Sequence, residues 1–220
     1  MRTLLLLRPE PGLSASVERA KAMELDVVPC PLFRVEPVDW IAPNPAGYDG
    51  LLLTSTNAVR YGGTGLEALR HLPIHAVGAA TAAAARGAGF HVRSIGSGDL
   101  TDLLAGLPTS LRLLWLAGED RREVQSREGI AIRIVYRSIP IQAPALPSLE
   151  GMVVAVHSPR AGSRLAELAG RRARTAIAAI SAAAAEACGT GWERIEIAVQ
   201  PDDSAVLALA AMLCHTMPPQ

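Results

Sequence analysis

Short apolar runs alternate with helix-forming runs along most of this chain, and small polar residues stand where one gives way to the other. Gly50-Leu51-Leu52-Leu53 is such a run, followed by Thr54, Ser55, Thr56 and Asn57 and then by a helical stretch. An apolar run this short between turn signals predicts a strand buried on both faces of a parallel sheet. Ser55, Thr56 or Asn57 can cap the next helix and leave its first N–H groups free to meet an anion. Other strands are predicted at 4–7, near Val27 and Val28, at 74–77, 91–93, 112–116 and 176–179, within 152–156, and at 195–199. Helices are predicted over 14–24, 57–69, 79–88, 99–105, 160–168 and 182–187, with a short one after Asp120. A last helix follows Asp202-Asp203-Ser204 and ends near Cys214, leaving a frayed tail from His215. Tyr61-Gly62-Gly63-Thr64-Gly65 should break or shorten the helix in which it lies.

Alternating strands and helices imply an α/β fold with parallel sheets covered on both sides. Two segments depart from that rhythm. Leu32 to Val38 and Ala131 to Pro140 alternate with the two-residue period of exposed strands and are bounded by prolines. They read as a two-stranded connector, 31–38 with 132–140. The block between them, 46–131, is then inserted into an outer domain made of 1–30 and 142–220. Such a chain crosses twice between domains, a geometry that allows hinge closure on a ligand.

The pattern also repeats. Val153-Val154-Ala155-Val156-His157-Ser158 follows the plan of Gly50 to Ser55, and Ile177-Ala178-Ala179-Ile180-Ser181 follows Ile74 to Gly78. Both share an offset of 103 residues (Ser55 to Ser158, Gly78 to Ser181). Each copy closes on a glycine–aromatic pair, Gly89-Phe90 and Gly191-Trp192, one residue out of step. Two similar α/β units are expected, each with a ligand-facing strand end, because ligands of open α/β sheets bind beyond the carboxyl ends of strands.

Composition narrows the chemistry. Twenty-one basic and 21 acidic residues cancel over 220 positions, which argues against nucleic acid, whose phosphates need a basic face. Lys21 is the sole lysine among the basic residues. Arginine forks suit carboxylates and phosphates, although genomic base composition accounts for the same bias. Cys30, Cys188 and Cys214 are odd in number, far apart and in no C-x-x-C arrangement, as expected of buried thiols in a reducing compartment. The opening apolar run is too short for a signal or membrane segment. A soluble cytoplasmic protein is expected.

Strong motifs are absent. There is no phosphate-binding loop of the G-x-x-x-x-G-K-S/T type, no G-x-G-x-x-G after the first strand and no G-x-S-x-G elbow. His71, His75, His91, His157 and His215 show no metal-ligand spacing, so no metal site is expected. What remains is a set of hydroxyls and arginines at predicted strand ends: Arg8, Thr54, Ser55, Asn57, Thr81, Ser158, Arg160 and Tyr136, with His157 beside them. Taken singly, each is more often a cap, turn residue or solvated side chain than a ligand contact. Gathered at a cleft they form a polar site without a strong acid–base pair. Gly118-Glu119-Asp120-Arg121-Arg122 can join its rim or simply open a helix with acids at its favourable end.

These residues carry a resemblance. Leu53-Thr54-Ser55-Thr56-Asn57-Ala58-Val59, Ala76-Val77-Gly78-Ala79-Ala80-Thr81-Ala82, Gly118-Glu119-Asp120, Val135-Tyr136-Arg137 and His157-Ser158-Pro159 occur in an order and spacing similar to the uroporphyrinogen-III synthase family, over essentially the whole chain. The resemblance implies two flavodoxin-like domains, each a parallel sheet with helices on both faces, joined by a two-stranded connector. It implies cyclisation of a linear hydroxymethyl tetrapyrrole, hydroxymethylbilane, to uroporphyrinogen III with loss of water and inversion of the terminal ring. The implied catalyst is a monomer without metal or organic cofactor. Its work is to hold the reactive ends in one geometry, since the unguided cation closes to the wrong isomer. By position, Tyr136 matches the family tyrosine that faces the cleft from the connector strand, and it is expected to help the hydroxyl leave. Thr54, Ser55, Thr81 and Ser158 match polar strand-end positions around the substrate carboxylates, and Arg8 is expected to bind substrate beside them. Ser181-Ala182-Ala183, where relatives often carry Gly-Pro-Thr, the short segment 124–131 and the Gly62-Gly63 break depart from the family pattern. Two other readings of the same residues are a non-catalytic two-domain protein closing on an anionic small molecule and a flavin binder.

Overall fold

Strands as apolar as these can be hidden only between two helical layers, and that is where they lie. The computed structural model describes residues 1–96, 100–121 and 127–216. In chain order the elements are β1 (Leu4–Leu6), α1 (Gly12–Ala22), β2 (Val27–Pro29), β3 (Phe33–Pro37), β4 (Gly50–Leu53), α2 (Thr56–Tyr61), α3 (Gly63–Glu67), β5 (Ile74–Val77), α4 (Ala79–Gly87) and β6 (Val92–Gly96). There follow α5 (Leu100–Ala105), β7 (Leu113–Gly118), β8 (Ile130–Pro140), β9 (Val153–Val156), α6 (Pro159–Leu168), β10 (Ala176–Ala179), α7 (Ala182–Ala187), β11 (Arg194–Ile197) and α8 (Asp203–His215). The chain divides into two compact units, Met1–Arg34 with Ile139–Gln220, and Val35–Ser138. The helix expected after Asp120, the Asp99 start of α5, Arg122, the first three residues of the short segment 124–131 and the last four residues lie outside the described residues.

In the first unit the sheet order is β11-β10-β9-β1-β2, with each neighbouring pair parallel. Leu5, Val154, Val156, Ile177 and Ala179 point to one face, against α6 and α7. Leu4, Leu6, Val153, Ala155, Ala176 and Ala178 point to the other, against α1 and α8. The period-2 alternation is thus intact, but both phases are buried, so the strands read as unbroken apolar runs. Each fully buried leucine contributes roughly 1.5–3 kcal/mol. Gly162 sets the α6–α7 approach: a Cβ there would stand 2.8 Å from the Ala184 carbonyl oxygen. At the amino ends of the strands the buried Arg2 guanidinium donates to the carbonyls of Gly151, Met152 and Arg174 and forms a fork with Glu193 (both bonds 3.0 Å).

In the second unit the order is β3-β8-β7-β4-β5-β6. Leu51, Leu53, Ile74, Ala76, Leu114 and Leu116 meet α2, α3 and α4, while Leu52, Leu113, Trp115 and Ala117 meet α5. The repeat has a physical counterpart. Arg70 lies over the Phe90 ring at 5.0 Å, and Arg172 lies over Trp192 at 5.0 Å. In both, the preceding glycine has positive φ, 82° at Gly89 and 90° at Gly191.

Several boundaries differ from expectation. The helix predicted from Ser14 begins at Gly12, because Glu10 covers its first turn by accepting from the Ser14 amide (3.1 Å) and hydroxyl (2.8 Å). The strand predicted at 91–93 runs on to Gly96, drawn along β5 by the Val77–Gly96 pair. The strand predicted at 112–116 extends to Gly118, which pairs with Tyr136. The strand predicted at 195–199 stops at Ile197, because β10 ends at its partner Ala179. The helix predicted over 57–69 is split at Gly62 into α2 and α3.

Candidate active site

In each sheet the strand order reverses once, between β4 and β7 in one unit and between β1 and β9 in the other. A reversal opens a crevice at the carboxyl ends of the two strands, the usual ligand site of such sheets.

In the Val35–Ser138 unit, β4 leads into Thr54 and Ser55. Trp115 on β7 donates its indole N–H to the Thr54 hydroxyl at 3.3 Å. Ser55 is the cap of α2, its hydroxyl oxygen accepting from the Asn57 amide at 3.2 Å. Both oxygens act as acceptors within the protein, so the hydroxyl protons are left to donate to an anion. α4 begins on Gly78, with φ 92° and no side-chain cap.

Tyr136 is placed by an irregularity in β8. Ile130, Ile132 and Ile134 lie on the α5 face, Ala131 and Val135 on the α2–α4 face. Strict alternation would return Tyr136 to the α5 side. Instead Ala117 pairs with Ile134 and the next residue, Gly118, pairs with Tyr136. This bulge adds one residue to β8 and re-aims the side chains beyond it. Tyr136 accordingly joins Val135 on the α2–α4 face. Its ring lies so close to Gly118 that a Cβ there would be 2.6 Å from Cε2 and Cζ. It also sits 6.4 Å, centroid to centroid, from Tyr61.

In the other unit the crevice is built on one carboxylate. Asp203, at the start of α8, accepts through Oδ1 from Arg8 Nη1 (2.6 Å), the Ser16 hydroxyl (2.6 Å) and His157 Nε2 (2.8 Å). Its Oδ2 accepts from Arg19 Nε (2.9 Å) and Nη2 (2.6 Å). Burial would raise the Asp203 carboxyl, but the hydrogen bonds from His157, Ser16 and Arg19 and the charge of Arg8 outweigh it and hold the group well below the usual carboxylate range. An ionised carboxylate only accepts, so Nε2 carries the imidazole proton. His157 Nδ1 is buried without a partner. Ser158 caps α6, accepting from the Ala161 amide at 3.2 Å.

Thr54 and Ser55 thus follow β4 at one reversal point, with Tyr136 on β8 beside the end of β7, while Arg8, His157 and Ser158 follow the two strands of the other. Thr81 lies 5 % exposed inside α4. Asn57 contributes its amide to the Ser55 cap, and Arg160 stacks over Phe33 at 4.8 Å. Ser181 keeps its hydroxyl at work as the cap of α7, accepting from Ala184. Missed from the sequence were Trp115 and Tyr61, and above all Asp203, whose only local signal was the acidic pair opening a helix. Among the described residues no three histidine, cysteine or acidic side chains gather as a metal centre would require.

The family model described as uroporphyrinogen-III synthase HemD matches residues 14–208. The chain belongs to the uroporphyrinogen-III synthase family. Its members' activity makes it an enzyme of haem biosynthesis, a lyase. Among solved structures, uroporphyrinogen-III synthetase from Helicobacter pylori 26695 superposes with a TM-score of 0.68 at 18 % identity, over 97 % of this chain and all of that one. A mutant uroporphyrinogen III synthase from the extreme thermophile Thermus thermophilus does so with a TM-score of 0.54, also at 18 % identity, over 96 % of this chain and 99 % of the other. These two likenesses establish a shared fold. No curated protein matches the chain significantly. Membership of this family implies a tetrapyrrole substrate.

Proposed function

We propose that the chain cyclises hydroxymethylbilane to uroporphyrinogen III with Tyr136 as the group that helps the hydroxyl leave, by hydrogen-bond donation or proton transfer. The bulge that turns this phenol onto the α2–α4 face is the observation that carries the assignment. Loss of the hydroxyl as water leaves a cation. Attack at the substituted carbon of the terminal ring gives a spiro intermediate, which fragments and recloses with that ring inverted. Holding the reactive ends in the geometry of that attack is the entropic part of catalysis. Thr54, Ser55 and Ser158 are proposed as donors to the substrate carboxylates, and Arg8 as a cationic partner steadied by Asp203. Thr81, buried in α4, is proposed to act at that helix's uncapped first turn rather than through an open hydroxyl.

Two flavodoxin-like domains joined by a two-stranded connector are part of the same proposal. Strands β1, β2, β9, β10 and β11 have the order 2-1-3-4-5, which supports it. So do the hydrogen bonds from Val38 N–H to the Val135 oxygen (3.1 Å) and from Ile141 N–H to the Leu32 oxygen (2.9 Å). A cytoplasmic monomer is proposed as well. Burial pushes the Cys188 and Cys214 thiols up to about 11, consistent with inert thiols in a reducing compartment. Among the described residues no helix is long and apolar enough to cross a membrane.

The test is isomer analysis of the product formed from the linear tetrapyrrole. The inverted-ring isomer should exceed the uncatalysed background, and a product mixture identical to that background would overturn the proposal. In the same assay Ser55→Ala and Ser158→Ala should raise KM more than they lower kcat, since each removes a donor to bound carboxylate. An unchanged KM in both variants would remove the two serines from the binding set.

A further inference from the structure

The helix break after α2 has so far no role in the reaction, yet two of its residues, Gly62 and Gly65, meet the Trp40 side chain. Gly62 ends α2, and a Cβ there would lie 2.7 Å from Leu66 Cβ and 2.8 Å from the Ala58 oxygen. Gly63 follows with φ 56°, the left-handed region that glycine adopts without strain. Trp40 donates its indole N–H to the Gly62 oxygen at 3.0 Å, and its ring covers Gly65, where a Cβ would stand 2.7 Å from Cζ2. The break is therefore a built seat for Trp40. It ends α2 after six residues, so that Tyr61 is the last of them.

That ending brings Tyr61 to Tyr136. The rings are 6.4 Å apart with planes tilted by 36°, within the range in which aromatic pairs attract. Tyr136 meets Gly118 as well, where a Cβ would lie 2.9 Å from the phenol oxygen. The phenol is thus bounded by a residue that has no side chain and by a second tyrosine, after a bulge has turned it to their face. A side chain re-aimed by a bulge has no alternation to hold it, and its direction rests on these contacts and on its packing against the α2–α4 core.

We propose that Tyr61 is a positioning residue for loss of the hydroxyl, fixing the Tyr136 phenol through ring contact, and that the Gly62–Gly65 break with Trp40 exists to place it. This inference rests on the proposed role of Tyr136. It is tested by kcat, KM and product isomer ratio for Tyr61→Leu, Tyr61→Phe, Tyr136→Phe and the double variant Tyr61→Leu/Tyr136→Phe. Displacing a reacting group by about 1 Å costs on the order of a hundredfold. Tyr61→Leu should therefore lower kcat by roughly tenfold to a hundredfold, with KM little changed and a larger fraction of the uninverted isomer. Tyr61→Phe, which keeps the ring, should restore most of the lost rate. The double variant should be no slower than Tyr136→Phe, because two residues acting through one phenol are not additive.

Full kcat in Tyr61→Leu, or a Tyr61→Leu effect that multiplies undiminished onto Tyr136→Phe, would overturn the inference while leaving the role of Tyr136 standing. Full turnover in Tyr136→Phe would instead remove that role, and this inference with it. Should Tyr61→Leu fail to fold, Tyr61→Met supplies the decision. It keeps the bulk and loses the ring, so the same loss of kcat at little-changed KM supports the inference, and wild-type kcat overturns it.

Discussion

Replacing Tyr136 by phenylalanine should slow turnover by roughly 10²–10⁴-fold, the contribution typical of a positioned proton donor, while leaving the fold intact. The substitution deletes one oxygen and keeps the ring. The contact with Tyr61, the packing against the α2–α4 core and the approach to Gly118 all survive. The Glu119 amide bonds to the main-chain oxygen of residue 136 at 3.0 Å, which does not depend on the side chain. The lost rate would therefore report the phenol alone. Single-turnover kinetics with the linear tetrapyrrole, beside a urea-unfolding curve, separate the two quantities. An unchanged rate constant would show that water or another group serves the leaving hydroxyl.

Asp203→Ala should be among the most damaging single changes in the Met1–Arg34 and Ile139–Gln220 unit, at about 3–5 kcal/mol, the usual loss when one partner of a buried ion pair is removed. The side chain is 14 % exposed and receives five hydrogen bonds from four residues. Its removal strands the Arg8 guanidinium, 27 % exposed, beside the first turn of α1, whose dipole also repels a cation. Arg19 is 49 % exposed and recovers water, so its share of the loss is small. The same carboxylate predicts an acid dependence. A carboxyl whose pKa is depressed in the folded state stabilises the fold above the value of about 3.9 that it has in the unfolded chain. That stability is lost as pH falls from there towards the lower folded value. Between pH 7 and pH 3 the unfolding midpoint of the wild-type protein should fall more steeply than that of Asp203→Ala. Parallel slopes would mean that Asp203 titrates normally.

Much of this protein is written locally. The apolar runs at Gly50–Leu53 and Val153–Val156, the caps at Ser55, Ser158 and Asp202, and the break at Gly62 each depend on residues within one or two turns of one another. So does the repeat, down to the paired glycine–aromatic closures. Local chemistry of this kind survives in any window of sequence, and it sufficed for two α/β units and for the strand ends that carry Thr54, Ser55 and Ser158. The tertiary structure decided the rest. Alternation along β8 assigns Tyr136 to the face of Ile134, and only its pairing with β7 inserts the bulge that reverses it. Asp203 gathers Arg8, Ser16, Arg19 and His157 because β1 lies beside β9 and α8 packs over β9 and against α1, with sequence separations of up to 195 between the bonded groups. Strand order and register arise from the packing of whole elements, so contacts that depend on them leave no mark on the residues beside them in sequence.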